Sequence, residues 1–551
     1  MQPRSCLFSI VVAVATASPS VKLDAGILHG AQCANSPAVV YRGVPYAQPP
    51  VGQLRFKSPE PIRVYPDGHL DATKAAAPCI QFISQFKVNE PPMSEDCLYL
   101  DVYIPPKISA GVKLPIKVFA YGGANAAGGI SYPLYDGCNL ATDAIVIVFS
   151  YRLGPLGFLG LQSAGIQGNM AIEDSLLALR WVQENARALG GDSNQVLLFG
   201  QSAGAHNSFV MSTLPQAKGL FSSLILESGG GQDVMTRENL QHISTMYADL
   251  LNCTGLNQLH CLQTQCIENI TTAYSKLPLL GPVDAISQRF AMTLPNTVSL
   301  AKPAIDGEIV RQDPLLVGPQ VPILAGSNEN ESSLFVYPLY KSYNGTYNQT
   351  TYDDFIAEWG PVSEDIGAAY PLSKFNISAS PKANILIAIT HVLSMASFIC
   401  QPRRALLAAK AAGMPTYSYR FGRTPSCPWL YVDGENVPPK EFEEAFGAAH
   451  TSEISFVFGN MDQMPFGTGT CNSSSFDKSI SQTLIAAWSS MATSRSPSTQ
   501  ELPWPQFEKC SHQGLHITNE AMAISPIDFS ECKFWDRIYT KLGSVGVRPS
   551  K

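Results

Sequence analysis

Val196-Leu197-Leu198-Phe199-Gly200-Gln201-Ser202-Ala203-Gly204 is the stretch that decides the fold. An unbroken apolar run of this kind reads as a strand buried on both faces, and the Gly-x-Ser-x-Gly pattern behind it reads as a sharp turn into a helix. At such a turn the serine takes strained backbone angles, and the flanking glycines leave room where a Cβ would collide with the neighbouring strand and helix. The serine oxygen is thereby presented to solvent, and backbone N–H groups at the helix start can face an anionic reaction centre. Ser202 is therefore a candidate nucleophile.

Outward from this stretch, apolar runs recur at Pro115 to Ala120, Ala144 to Phe149, Leu224 to Leu226, Pro322 to Ala325 and Thr416 to Phe421. Most are continuous rather than alternating, as strands are when helices cover both faces of a largely parallel sheet. Asn169 to Leu189 shows helical spacing and Gly190-Gly191 ends it, so the order is strand, helix, strand. The fold class is α/β, with a large, mostly parallel central sheet. From about Glu238 to Tyr274 and from Tyr352 to Ala412, helical patterning replaces strands and predicts helical insertions over the sheet edge. With 551 residues, 45% hydrophobic and 15% charged, the chain can bury a large core, and disorder is excluded over most of it. No linker or charge block separates autonomous units, which predicts one domain over residues 18–551.

Met1 to Arg4 leads into the apolar run Cys6 to Ala15 and the small-x-small segment Ala15-Thr16-Ala17. Residues 1–17 read as a secretory signal cut after about Ala17 or Ser18, the run being short for a membrane span. Export to an oxidising compartment gives the cysteines their meaning. Of thirteen, twelve lie beyond Cys6, and an even number suggests disulfides. No Cys-x-x-Cys pair with matching ligands occurs, so neither a metal nor a cofactor is expected. Sequons at Asn252, Asn269, Asn344, Asn348, Asn376 and Asn472 predict a glycosylated surface. The net charge of −7, from 37 basic and 44 acidic side chains, offers no basic stripe for nucleic acid or an anionic membrane, and no stable membrane insertion is expected.

An elbow serine needs a base and a group to orient that base. Among nine histidines, His450 stands out in Gly447-Ala448-Ala449-His450, before the apolar run Ile454 to Phe458. His206, four residues past Ser202, should lie one helical turn below the elbow as an ordinary helix histidine. A strand-end loop after Pro322 to Ala325 carries two acids, Glu329 and Glu331, which the residues alone do not separate.

Several further segments are similar to the type-B carboxylesterase/lipase family, the α/β hydrolases that include cholinesterases and fungal lipases. Tyr41-Arg42-Gly43-Val44-Pro45-Tyr46-Ala47-Gln48-Pro49-Pro50-Val51-Gly52 resembles the family's N-terminal segment, and Ser94-Glu95-Asp96-Cys97-Leu98 resembles its Ser-Glu-Asp-Cys-Leu signature. The resemblance runs from Val21 to Leu542 and implies an α/β-hydrolase fold. It implies a serine carboxylesterase working through an acyl-serine, with Ser202 as nucleophile, Glu331 rather than Glu329 as acid, and His450 as base. The sequon at Asn330 would then crowd the acid and is discounted. Tyr121-Gly122-Gly123-Ala124-Asn125 is similar to the family's oxyanion turn, which implies backbone donors at Gly123, Ala124 and Ala203. By the same resemblance Cys79 pairs with Cys97, Cys253 with Cys261 and Cys400 with Cys532.

Departures from the family pattern refine the expected substrate. Gln201 stands where many relatives carry glutamate, which makes the pocket less attractive to cations. Seventeen residues, 80 to 96, lie between Cys79 and Cys97, and none is tryptophan; Phe82 and Phe86 are weaker cation–π partners. Cholinesterase activity is therefore not expected. The same loop is a much longer lid in the fungal lipases, so soluble small-molecule esters are favoured over interfacial lipolysis, and closing it with a disulfide contributes about 3 kcal/mol. An acyltransferase on the same triad, possible in secondary metabolism, is the alternative, since it differs only in water exclusion around the acyl-enzyme. A non-catalytic adhesion protein is disfavoured because serine, acid and histidine are all present. Oligomeric state is not encoded in any motif.

Overall fold

The computed structural model describes residues 18–546 apart from 84–90, 107–110, 279, 281–292, 342–346, 379, 433–434, 438–445 and 464–470. The leader segment, Phe86 and Asn344 lie outside the described residues. An eleven-stranded sheet organises the rest. Its strands in chain order are β1 (Ala31–Gln32), β2 (Val39–Pro45), β3 (Tyr99–Ile104), β4 (Leu114–Ala120), β5 (Ile145–Phe149), β6 (Gly191–Gln201), β7 (Ser223–Glu227), β8 (Ile323–Asn328), β9 (Thr416–Phe421), β10 (Gln513–Ile517) and β11 (Met522–Pro526). Across the sheet they run β11-β10-β9-β8-β7-β6-β4-β5-β3-β2-β1.

From β10 to β5 every neighbour is parallel, and both edges turn antiparallel. The continuous apolar runs fall in this parallel centre, where β5, β7 and β8 are buried along their whole length. Helices α1 (Met170–Asn185), α2 (Ala203–Ser212) and α3 (Arg237–Leu250) follow β5, β6 and β7. Strand β8 runs three residues past the expected apolar run, through Gly326-Ser327-Asn328. Those polar residues read as a loop, but β9 continues the ladder opposite them, and Gly326 leaves the space that the Tyr419 ring fills.

The helical insertions stand where they were expected. Beyond α3 come Gln258–Thr264 and Ile267–Ser275, and later Pro381–Ser394 and Cys400–Ala411, joined by a π-turn at Met395–Ile399. The joined helix is long and apolar enough to cross a bilayer by length and composition, yet 83% of its most apolar window is buried inside the protein, so its apolarity belongs to the core. All three expected disulfides form, and Cys33–Cys138 and Cys427–Cys471 join them. Cys266 and Cys510 stay unpaired and exposed.

The sheet order fixes where a ligand can sit. From β4 the chain moves to β5 on one side, and then β6 inserts on the other. At such a reversal the loops leaving the carboxyl ends of adjacent parallel strands diverge and open a crevice. The two loops here are Tyr121 to Asn125 after β4 and the Ser202 turn after β6.

Candidate active site

Ser202 sits between β6 and α2 with φ 57° and ψ −123°, angles a non-glycine residue adopts only under constraint. The constraint is steric and local. A Cβ on Gly204 would lie 2.1 Å from the Ala120 carbonyl oxygen, and one on Gly200 2.8 Å from Gly204 backbone, so strand, turn and helix approach as only glycine permits. Ser202 N–H donates to the Glu227 carbonyl at 2.8 Å, tying the turn to the end of β7.

Against this turn lies the glycine-rich loop after β4. Ala124 and Asn125 both hold positive φ, and a Cβ on Gly122 would touch Ser202 Cβ at 2.8 Å. Among the described residues, the N–H groups of Gly123, Ala124 and Ala203 donate to no other protein group. A pair that sequence reasoning missed clamps loop to helix: Asn125 and Asn207 exchange amide hydrogen bonds of 3.2 and 2.7 Å in full burial. Their separation of 82 positions leaves no local signal.

His450 and Glu331 meet across 119 positions of sequence. His450 Nδ1 lies 2.5 Å from Glu331 Oε2, while Glu331 Oε1 accepts from Asn328 N–H at 2.6 Å. Glu329 faces His516 instead, at 3.0 Å. Phe335 and Phe398 flank the imidazole, with centroids 5.2 and 4.6 Å away. The other ring nitrogen, Nε2, lies 3.0 Å from Gln201 Nε2. With Nδ1–H given to Glu331, Nε2 carries a lone pair that the Gln201 amide fills, and Ser202 Oγ shares no hydrogen bond with it.

Glu453, also missed, lies under this pair. Its carboxyl receives Ser228 Oγ–H and the Asn328 amide. Burial, and then the nearby Glu331 charge, push it up to about 8. Glu227, whose Oε1 accepts from Trp488 Nε1–H at 2.8 Å, is pushed well up by burial and by Glu453. Burial thus favours the protonated form of both Glu453 and Glu227.

Ser202, His450, Gln201 and the glycine loop share a cavity of about 630 Å³. Phe82, from the disulfide-closed loop, lines it, and the loop is pinned to the glycine-rich turn after β4 by Phe82 N–H to Ala126 O and Gly128 N–H to Gln81 Oε1. His206 lies one turn along α2, a packed helix histidine as expected. It is buried and lines the same cavity. Among the described residues no group of His, Cys, Asp and Glu is arranged to hold a metal.

The chain's likeness to known proteins is extensive. The family described as "Carboxylesterase family" matches residues 17–535. Para-nitrobenzyl esterase of Bacillus subtilis (strain 168) is 33% identical over 496 residues, covering 87% of this chain and 91% of that protein. Cocaine esterase of Homo sapiens is 29% identical over 92% of this chain and 88% of its own, and cholinesterase of Mus musculus is 29% identical over 91% and 83%. A solved structure of PNB esterase superposes with a TM-score of 0.75 at 29% identity, covering 94% of this chain and 99% of that one.

Proposed function

The chain belongs to the carboxylesterase family and is a carboxylic ester hydrolase, and from that premise we propose that it is a secreted enzyme working through an acyl-serine on Ser202, His450 and Glu331. The observation that carries this reading is the state of His450. Its Nδ1 is bound by a buried carboxylate and its Nε2 lone pair is turned to the residue adjoining Ser202. That tautomer is the one a general base needs.

In the cycle, Gln201 rotates off Nε2 and the Ser202 hydroxyl takes its place. His450 accepts the proton as Oγ attacks the ester carbonyl, and Glu331 offsets the transient imidazolium charge. The N–H groups of Gly123, Ala124 and Ala203 receive the oxyanion, each contributing roughly 10²- to 10³-fold in rate. The alcohol leaves with the proton from His450, and water releases the acid by the reverse steps. Five disulfides support export, as do exposed sequons at Asn252, Asn269, Asn348, Asn376 and Asn472. Asn330 packs against Gly447, next to the His450 segment, which supports discounting its sequon.

Ser202→Ala tests the assignment. Turnover of p-nitrophenyl acetate should fall by about 10⁶-fold, and labelling by an organophosphonate should vanish. A variant that keeps its rate removes Ser202 from the chemistry.

A further inference from the structure

The cavity wall carries an uneven charge. Among the described residues that line it there is no aspartate or glutamate, and Lys302 is the single lysine or arginine. Lys302 is 4% exposed, and its Nζ makes one hydrogen bond, to the Leu294 carbonyl at 3.1 Å, with no described carboxylate within ion-pairing distance. An ammonium has three donors, so among the described residues two are without a partner, in a place where leaving them so is costly. Beside Lys302 stand His206 and Gln232, each more than nine-tenths buried and each lining the cavity; the neutral imidazole carries one N–H donor and the Gln232 side-chain amide two.

The nearby acids are already engaged. Asp233 pairs with Arg404 at 2.7 Å and accepts from Ser544, and Asp313 caps a helix through Leu315 N–H. Burial holds His206 down to about 3, so it stays a neutral imidazole with one donor and one acceptor. The wall next to His450 is different in kind, being made by Phe335 and Phe398. In the serine-esterase reading His450 protonates the leaving alcohol, which assigns the aromatic side to the alcohol and the Lys302 side to the acyl part retained on Ser202.

We propose that Lys302, His206 and Gln232 form a carboxylate-binding subsite, and that the preferred esters carry a carboxylate on the acyl part, as half-esters of dicarboxylic acids do. This rests on the serine-esterase reading. The chemistry keeps its balance: the acyl carbon–oxygen bond breaks, water supplies the hydroxyl, the alcohol takes the proton and a dicarboxylate is released. Gln201 acts in the same direction, since it withholds the negative charge that a cationic substrate would need.

Two measurements test the subsite. The first is kcat/KM for p-nitrophenyl half-esters of succinate, glutarate and adipate, each divided by that of the neutral acyl ester of equal length. At pH 7 the wild-type ratio should exceed ten for at least one length. It should fall at least tenfold in Lys302→Met, and also in the wild type as pH rises through about 8, where burial leaves the Lys302 ammonium to deprotonate. The charged groups facing it, Asp233, Arg404 and Asp313, and His206 keep their state over that range. A wild-type ratio below one at every length, or one that Lys302→Met leaves alone, overturns the proposal. The second is calorimetric binding of free adipate against uncharged adipamide, which needs no catalysis. Adipate should bind at least tenfold tighter, and Lys302→Met should remove the difference; equal binding of the two ligands overturns the subsite. Failure of the wild type to cleave any ester would strike the hydrolase reading alone.

Discussion

The two sides of the catalytic crevice are built from different materials. On the Ser202 side, backbone does the work: a glycine-bounded turn, a loop with three successive positive φ values at Gly123, Ala124 and Asn125, and main-chain donors at a helix start. On the His450 side, buried side chains do it, as Glu331, Asn328, Glu453 and Ser228 pass hydrogen bonds among themselves. A site made of backbone depends on whether Cβ atoms fit. A site made of titratable side chains depends on where protons sit, and so on pH.

Substitutions can press on this contrast. The largest effect is expected on the side-chain wall. Glu331→Gln should lower kcat by about 10⁴-fold, since an amide can hold the wrong imidazole tautomer. Glu329→Gln should leave kcat nearly unchanged; comparable losses in steady-state assays would erase the distinction between the two acids. Next comes the clamp between the walls. Asn207→Ala frees Asn125 and lets the oxyanion turn drift, and misplacement of about 1 Å costs on the order of 10²-fold, to be read in kcat with KM little altered.

A smaller, pH-dependent effect is expected at Glu453. Its folded-state value of about 8 lies above the model-peptide value of 4.5, so the folded protein holds a proton that the unfolded chain releases. That stabilisation is complete below about 4.5 and is lost as pH rises through about 8. Melting temperature should therefore decline across this window, and Glu453→Gln should make the decline shallower, with Glu227 supplying what remains. The smallest effect is expected on the backbone wall. Ala124→Gly keeps the N–H donor and relieves a positive φ, so the rate for p-nitrophenyl acetate should barely move; a large loss would mean that the methyl group, not the main chain, matters there.

The same contrast explains what could be read in the sequence. The elbow was legible because strand, turn and helix are contiguous and glycine spacing is itself the steric requirement. The sheet's parallel centre was legible from continuous apolar runs, whereas the antiparallel edges, with short and half-exposed strands such as Ala31–Gln32, left no comparable pattern. Glu329 and Glu331 were inseparable by residue type, because the choice depends on which way a short turn faces. Nothing in Ala301-Lys302-Pro303 announces a buried ammonium, and nothing in Gln201 announces that its amide would rest on the base. Cys33–Cys138 and Cys427–Cys471 were hidden by arithmetic alone, since twelve cysteines allow too many pairings to choose among.

Strand order has a consequence for synthesis. After β6, each of β7 to β11 lies beside the strand made just before it, so on the ribosome every newly emerged segment finds its partner already in place. His450, the proposed base, arrives late, more than twenty residues beyond the end of β9 at Phe421. A nascent chain can thus complete the serine turn and most of its scaffold while still unable to cut any ester in the compartment that is folding it.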